Sequence, residues 1–275
     1  MSSAMDRHPA VAGRFYPSDP DELRAEVLGY LSSTNTARQT PISVIGCIAP
    51  HAGYVYSGHV AGAVFASIEI PRRCIVLCPN HTGQGCPLAI MSEGAWQTPL
   101  GEVPIDAELA DALKKQSPTL QEDSAAHRAE HAVEVELPFL QLRQSELTFV
   151  PIALGTTRYD ILEQLGLSLA KVIAEHEEPI LIVASGDMNH YESDVVTRAK
   201  DHRAVERILM LDPRGLHEVV TQQNISMCGL GPAVVLLTAA RQLGAKSADL
   251  IKYATSGDVS GDRQMVVGYA GVVVR

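Results

Sequence analysis

The sequence is short of positive charge. Against 32 Asp and Glu it sets only 22 Lys and Arg, a formal net charge of −10 at pH 7 over 275 residues. No basic run exceeds a pair such as Arg72-Arg73, which argues against a general phosphate-backbone binder and against nucleic acid as a partner. Apolar runs approaching the ~18 residues that span a bilayer are missing. The polar opening and its "HPAVAGRFYP" stretch hold no apolar core of a secretion signal. The expectation is a soluble, cytoplasmic protein without a membrane partner. Its five cysteines are odd in number and lack the spacing of a disulfide framework, which fits a reducing compartment. Neither HExxH nor a paired CxxC occurs, so no local signature announces a metal. Low-complexity tracts, repeats and an evident linker are absent too, and residues 1–275 read as one domain.

What is present can bury a large core, at 46 % hydrophobic residues. Strand-like runs at Ser43–Ala49, Cys74–Cys78, Thr148–Leu154 and Ile180–Ala184 alternate with helical patterns at Gly58–Ile68, Ala107–Lys115 and Tyr159–Glu175. Leu88–Met91 and Trp96–Pro99 read as short strands. Asp19-Pro20-Asp21-Glu22 opens an early helix with acids at its positive dipole end, and Thr34–Thr40 reads as a loop. Glu130–Leu142 reads as a helix in which Pro138 is awkward. Helices at Asp194–Leu211, Pro213–Gln223 and Pro232–Leu243 and strands at Leu250–Thr255 and Met265–Val274 complete the chain. This alternation predicts a three-layer α/β/α fold around a largely parallel or mixed sheet, with right-handed crossovers.

Such sheets gather functional groups outside the carboxyl ends of their strands. His51 in "IGCIAPHAGY", His81 in "IVLCPNHTG", and Asp187 and His190 in "ILIVASGDMNHY" each follow a strand by a few residues. Cys228 precedes a helix start, where unpaired backbone N–H groups would stabilise its thiolate. Cys47, Cys74 and Cys78 read as buried small hydrophobes. Two imidazoles, a carboxylate and a thiolate converging on one rim make a metal set suited to Fe, Cu or Zn. Each member also has a plainer reading: a hydrogen-bonded strand-end histidine, an Asx-turn at Asp187, an inert thiol. His131 is a candidate for lining the site. Asp258 and Asp262 are candidate carboxylates at its edge. His8, His59, His176, His202 and His217 read as surface or packing residues.

Taken in order, "AVAGRFYP", "PHAGYVYSG", "PNHTG", "EHAVEVELPFLQ", "SGDMNHY", "MCGLGP" and "TSGDVSGD…VVGYAGVVV" resemble the Memo family over nearly the whole chain. Prokaryotic members of that family are often called protein B of the AmmeMemoRadiSam system. The resemblance implies a fold similar to the class III extradiol (LigB-like) dioxygenases and a metal pocket with His51, His81 and Cys228 as ligands. It also implies Asp187 and His190 as the neighbouring catalytic pair, and radical-SAM and AMMECR-type proteins as partners. Relatives often carry Ser and Gln where Ala132 and Glu136 stand here. Because a cysteine replaces the dioxygenases' carboxylate ligand, ring cleavage is not expected.

The leading expectation is a metal-dependent redox protein holding Fe(II), with Cu or Zn as alternatives. His190 would act as acid/base, Asp187 would orient it or hold a metal-bound water, and Tyr54 and His131 would line the substrate side. The alternatives are a metal-assisted hydrolase and a non-catalytic adaptor binding a peptide in the same crevice, with Arg14, Arg72 and Arg73 as anion contacts.

Overall fold

The computed structural model describes residues 6–32 and 40–275. In chain order its elements are β1 Asp6–Arg7, α1 Pro20–Ser32, β2 Gly46–Ala49, α2 Tyr54–Ser67, β3 Arg73–Pro79, β4 Leu88–Ile90, β5 Ala95–Thr98 and β6 Gly101–Pro104. There follow α3 Ala107–Gln116, β7 Gln121–Glu122, α4 Ala125–Arg128, α5 Leu137–Arg143, β8 Thr148–Leu154, α6 Tyr159–Ala174, β9 Ile180–Ser185 and β10 His190–Glu192. Last come α7 Asp194–Leu209, α8 Pro213–Gln222, α9 Leu230–Gln242, β11 Ala248–Thr255, α10 Gly257–Ser260 and β12 Val266–Val274.

The main sheet runs β10-β12-β2-β9-β3-β8-β4-β7, with β11 also paired to β12. Its centre, β2-β9-β3-β8, is parallel. Strand β12 joins β2, β10 and β11 antiparallel, and β4 joins β8 antiparallel. The sheet is therefore mixed around a parallel core. The central strands read "RCIVLCP", "TFVPIAL" and "ILIVAS" and are almost wholly buried, as strands covered on both faces must be.

Alternate residues divide between the two faces. Ile75 and Leu77 of β3 pack with α3, α6, α7, α8 and α9; Cys74, Val76 and Cys78 pack with α1, α2 and α5. These are the three layers expected. Cys47, Cys74 and Cys78 are all buried, in keeping with their reading as small hydrophobes. A separate small sheet, β1-β5-β6, packs its Trp96 and Val103 into the second of these cores.

Two expectations are corrected. The stretch from Glu130 is not one helix: α4 ends at Arg128, α5 begins at Leu137, and irregular turns join them. Glu130, Glu134 and Glu136 all turn into the interior, each to a different partner, which a regular helix does not allow. Pro138 then falls in the first turn of α5, where its missing N–H breaks no helical bond. Helix α2 begins at Tyr54 rather than Gly58. The short strands expected near Leu88–Met91 and Trp96–Pro99 are present as β4 and β5, the latter one arm of a hairpin with β6. The expected Thr34–Thr40 loop lies, apart from Thr40, outside the described residues.

Candidate metal centre

Strands β2, β9 and β3 lie side by side and parallel, and each delivers a functional residue two positions beyond its end: His51 after Ala49, Asp187 after Ser185, His81 after Pro79. Cys228 comes from the opposite direction, in the turn before α9. Two glycines let it approach. A Cβ on Gly186 would sit 2.2 Å from the Cα of Gly229, so only a glycine pair allows the end of β9 to touch the start of α9. In that contact the Asp187 N–H points at Cys228 Sγ, 3.3 Å away.

Together these residues line a crevice of about 540 Å³ that also takes in Phe15, His131, His190, Ser226 and Val267. Ligand atoms of His51, His81 and Cys228 lie within 4.8 Å of one another, as do those of Asp187, His190 and Cys228. His51 Nε2 is 3.3 Å from Cys228 Sγ. The rings of His81 and His131 stack with centroids 4.7 Å apart, and His51 meets both edge-on.

The histidines share one orientation. His81 Nδ1 is 2.9 Å from Glu130, whose carboxylate also accepts the His81 and Ala132 N–H groups. His190 Nδ1 donates to the Ser226 carbonyl at 2.7 Å. His51 Nδ1 faces Ser185 Oγ at 2.9 Å, and since Ser185 gives its hydroxyl proton to the Ala132 carbonyl at 2.6 Å, His51 is the donor. With Nδ1–H occupied in each ring, Nε2 is left with its lone pair, which is how metal-binding histidines are held.

Charge is scarce in the crevice. Burial, helped by the neighbouring imidazoles, holds His51 well below the usual imidazole value, and burial likewise lowers His190. His81 is raised despite its burial, because Glu130 is bonded to it. Burial pushes Asp187 up to about 7, against the pull of the His51 N–H it accepts at 2.9 Å. The helix start does not lower the Cys228 thiol as expected. Burial, with Asp187 alongside, drives it well above the ordinary value, so a bound cation is what would make it a thiolate.

Other expected residues fall elsewhere. Tyr54 does not reach the crevice: it is buried beneath it, with its hydroxyl donating to the Val135 carbonyl at 2.6 Å. Asp187 is not the orienting partner of His190; the Ser226 carbonyl is. Asp258 stands apart, bonded to Arg198 and Arg263, and Asp262 is exposed outside the lining. Arg73 starts β3, at the opposite end from His81, and pairs with Asp106, Glu108 and Glu178. Arg14 and Arg72 also lie off the lining. His131, by contrast, is in it.

Sequence reasoning missed the residues that hold the set in place. Glu130, Ser185 and Ser226 orient the rings. Glu134 pins the N-terminal segment beneath, accepting from the Ala10 and Val11 N–H groups and the Tyr16 hydroxyl and pairing with Arg7 at 2.6 Å. That brings Phe15 onto His131, ring centroids 4.8 Å apart. The available signal was "EHAVEVELPF", in which acids alternate with apolar residues.

No helix among the described residues is long and apolar enough to cross a membrane. A solved structure, that of an uncharacterised Escherichia coli K12 protein, matches with a TM-score of 0.50 at 13 % identity, covering 77 % of this chain and 91 % of that one, and shows the fold. A MEMO1 family protein of Methanopyrus kandleri is 43 % identical, over 98 % of this chain and 99 % of its own. Others from Methanothermobacter thermautotrophicus and Thermotoga petrophila are 41 % and 40 % identical, over 97 % and 98 % of this chain and 99 % and 100 % of theirs. The family model described as Memo-like protein matches residues 7–273, and the chain belongs to that family.

Proposed function

We propose that His51, His81 and Cys228 hold a single metal ion, and that the site performs redox chemistry on a small molecule, with iron as its ion and copper or zinc as competitors. What carries this reading is the convergence of two Nε2 atoms and one sulfur within 4.8 Å, with both Nδ1 atoms engaged elsewhere. The donor set fits an ion. Metal–nitrogen and metal–sulfur bonds of ~2.0–2.1 and ~2.3 Å at a tetrahedral angle separate N and S by roughly 3.5 Å, close to the 3.3 Å between His51 and Cys228. Imidazole and thiolate together suit iron, copper and zinc. When bound, iron or copper would supply electron exchange, and any of the three would polarise a coordinated group.

The chain's own residues would do the rest. His190 offers Nε2 to the crevice as proton donor or acceptor, with Ser226 fixing which nitrogen is free. Asp187 is buried between the His51 backbone and Cys228, where its carboxyl can hold a water or a substrate hydroxyl. Phe15 and Val267 add apolar wall. Arg14, Arg72 and Arg73, the anion contacts of the adaptor reading, lie off the crevice.

Metal content of anaerobically purified protein tests this. Iron close to one per chain is expected, lost in the His51→Ala/His81→Ala variant and loosened in Cys228→Ser. Stoichiometric zinc, with no iron taken up on reconstitution, would replace redox chemistry by hydrolysis. No metal in any preparation would overturn the centre altogether.

A further inference from the structure

Ser185 Oγ lies among three polar atoms: the Ala132 carbonyl at 2.6 Å, Glu136 Oε1 at 2.8 Å and His51 Nδ1 at 2.9 Å. A hydroxyl has one proton to give. The carbonyl can only accept, and at that distance it takes the Ser185 proton. The other two neighbours must therefore donate to the oxygen's lone pairs, His51 through Nδ1–H and Glu136 through a carboxyl proton. An ionised Glu136 would face Ser185 oxygen to oxygen with no hydrogen between them.

The surroundings agree. Glu136 is 0 % exposed, and its Oε2 has no hydrogen-bond partner. Among the described residues no Lys, Arg or His pairs with it. A buried carboxylate left in that position is costly, and neutralisation is the usual outcome. Burial, reinforced by Asp187, pushes the Glu136 carboxyl well above the usual range. A hydrogen bond from Ser185 would favour the anion, but the Ser185 hydroxyl donates to the Ala132 carbonyl instead.

We propose that Glu136 stands in the folded protein as a neutral carboxylic acid donating to Ser185 Oγ, and that Ser185, its proton on the side of the Ala132 carbonyl, fixes His51 with its Nε2 lone pair in the crevice. Ser185 is the positioning residue, and the Glu136 proton completes its hydrogen bonds. The first half of the proposal is independent of any metal; the second rests on the metal-centre reading.

Infrared difference spectra of the metal-free full chain, wild type minus Glu136→Gln, test the first half near neutral pH. The expected result is a protonated-carboxyl carbonyl band that belongs to the wild type and shifts in D₂O. A lost carboxylate band in its place would overturn the proposal. Nitrogen-15 NMR of the metal-free histidines tests the second half. His51 is expected as the Nδ1–H tautomer in wild type, in Glu136→Gln and in Glu136→Leu, where Ser185 keeps the Ala132 carbonyl as its acceptor, and as a mixture in Ser185→Ala. Zinc affinity should fall 10–100-fold in Ser185→Ala and hold in Glu136→Gln. An unchanged tautomer and affinity in Ser185→Ala would overturn the positioning role. Should that variant not fold, Ser185→Cys takes its place, its weakly accepting sulfur expected to shift the tautomer in the same direction. If wild type binds no metal, the centre fails as a reading, while the infrared band still decides the state of Glu136 and the tautomer the role of Ser185.

Discussion

Carboxylates support the crevice from two sides, by opposite means. Beneath it, Glu130, Glu134 and Glu136 are all 0 % exposed, and each has a private partner: His81, Arg7 and Ser185. Behind the Asp187–Glu192 loop, Asp194 and Asp258 share Arg198 and Arg263, each acid reaching both cations within 2.7 to 3.1 Å. Arg263 is about half exposed, at 54 % of its side chain. In the interior the loss of one partner leaves a group stranded away from water, whereas in the surface lattice, where Asp194 is buried but both arginines and Asp258 reach solvent, a second cation remains and water screens the exposed members.

The sharpest break in this contrast is Glu134→Ala. It strands the buried Arg7 guanidinium and takes the acceptor from Ala10, Val11 and Tyr16. Urea unfolding should show a loss of about 3–5 kcal/mol; a loss below 1 would mean that water replaces the carboxylate.

Asp201 sharpens the contrast by crossing it, a buried acid on the surface-lattice side. It accepts the Asn189 N–H at 2.8 Å and the Tyr253 hydroxyl at 2.7 Å, and burial pushes its carboxyl up to about 7. With an unfolded value of ~3.9, the folded protein holds the extra proton between these values. From this group the wild type therefore loses stability as pH rises from about 4 to about 7 and is level outside that window. Asp201→Asn should abolish the loss, gaining on wild type by roughly 2–4 kcal/mol between acid and alkaline ends of the window. Parallel stability–pH curves for the two proteins would count against the buried-acid assignment.

Glu130→Ala should free the His81 ring by removing the acceptor of its Nδ1–H, weakening zinc binding 10–100-fold in a competitive titration. Affinity equal to wild type would show that His81 needs no carboxylate behind it. The smallest effect belongs to Arg263→Ala, at about 0.2–1 kcal/mol and vanishing in high salt, since Arg198 still serves both acids.

Much of the rim was readable because it follows from topology. Parallel strands end at one edge, so His51, His81 and Asp187 had to meet once β2, β9 and β3 were neighbours. The alternation of apolar runs with helical patterns carried the three layers for the same reason. Tyr54 was misread because its position beside His51 in sequence says nothing of direction: at the first turn of α2 its ring points into the core. The Glu130–Leu142 helix failed because apolar spacing cannot reveal that three acids will spend their carboxyls on Arg7, His81 and Ser185. Ser185 itself reads as the last residue of a buried strand, and its role depends on a carbonyl 53 residues away in sequence.

The Gly186–Gly229 contact has a consequence for variation at this site. Neither glycine has a side chain, so neither would be found by asking what can bind or react. Yet in a saturation library selected for an intact crevice, both positions should accept glycine alone, while the nearby His131 would tolerate several residues. The narrowest sequence tolerance would then fall where there is no chemistry, at a space between strand and helix that a single methyl group would fill.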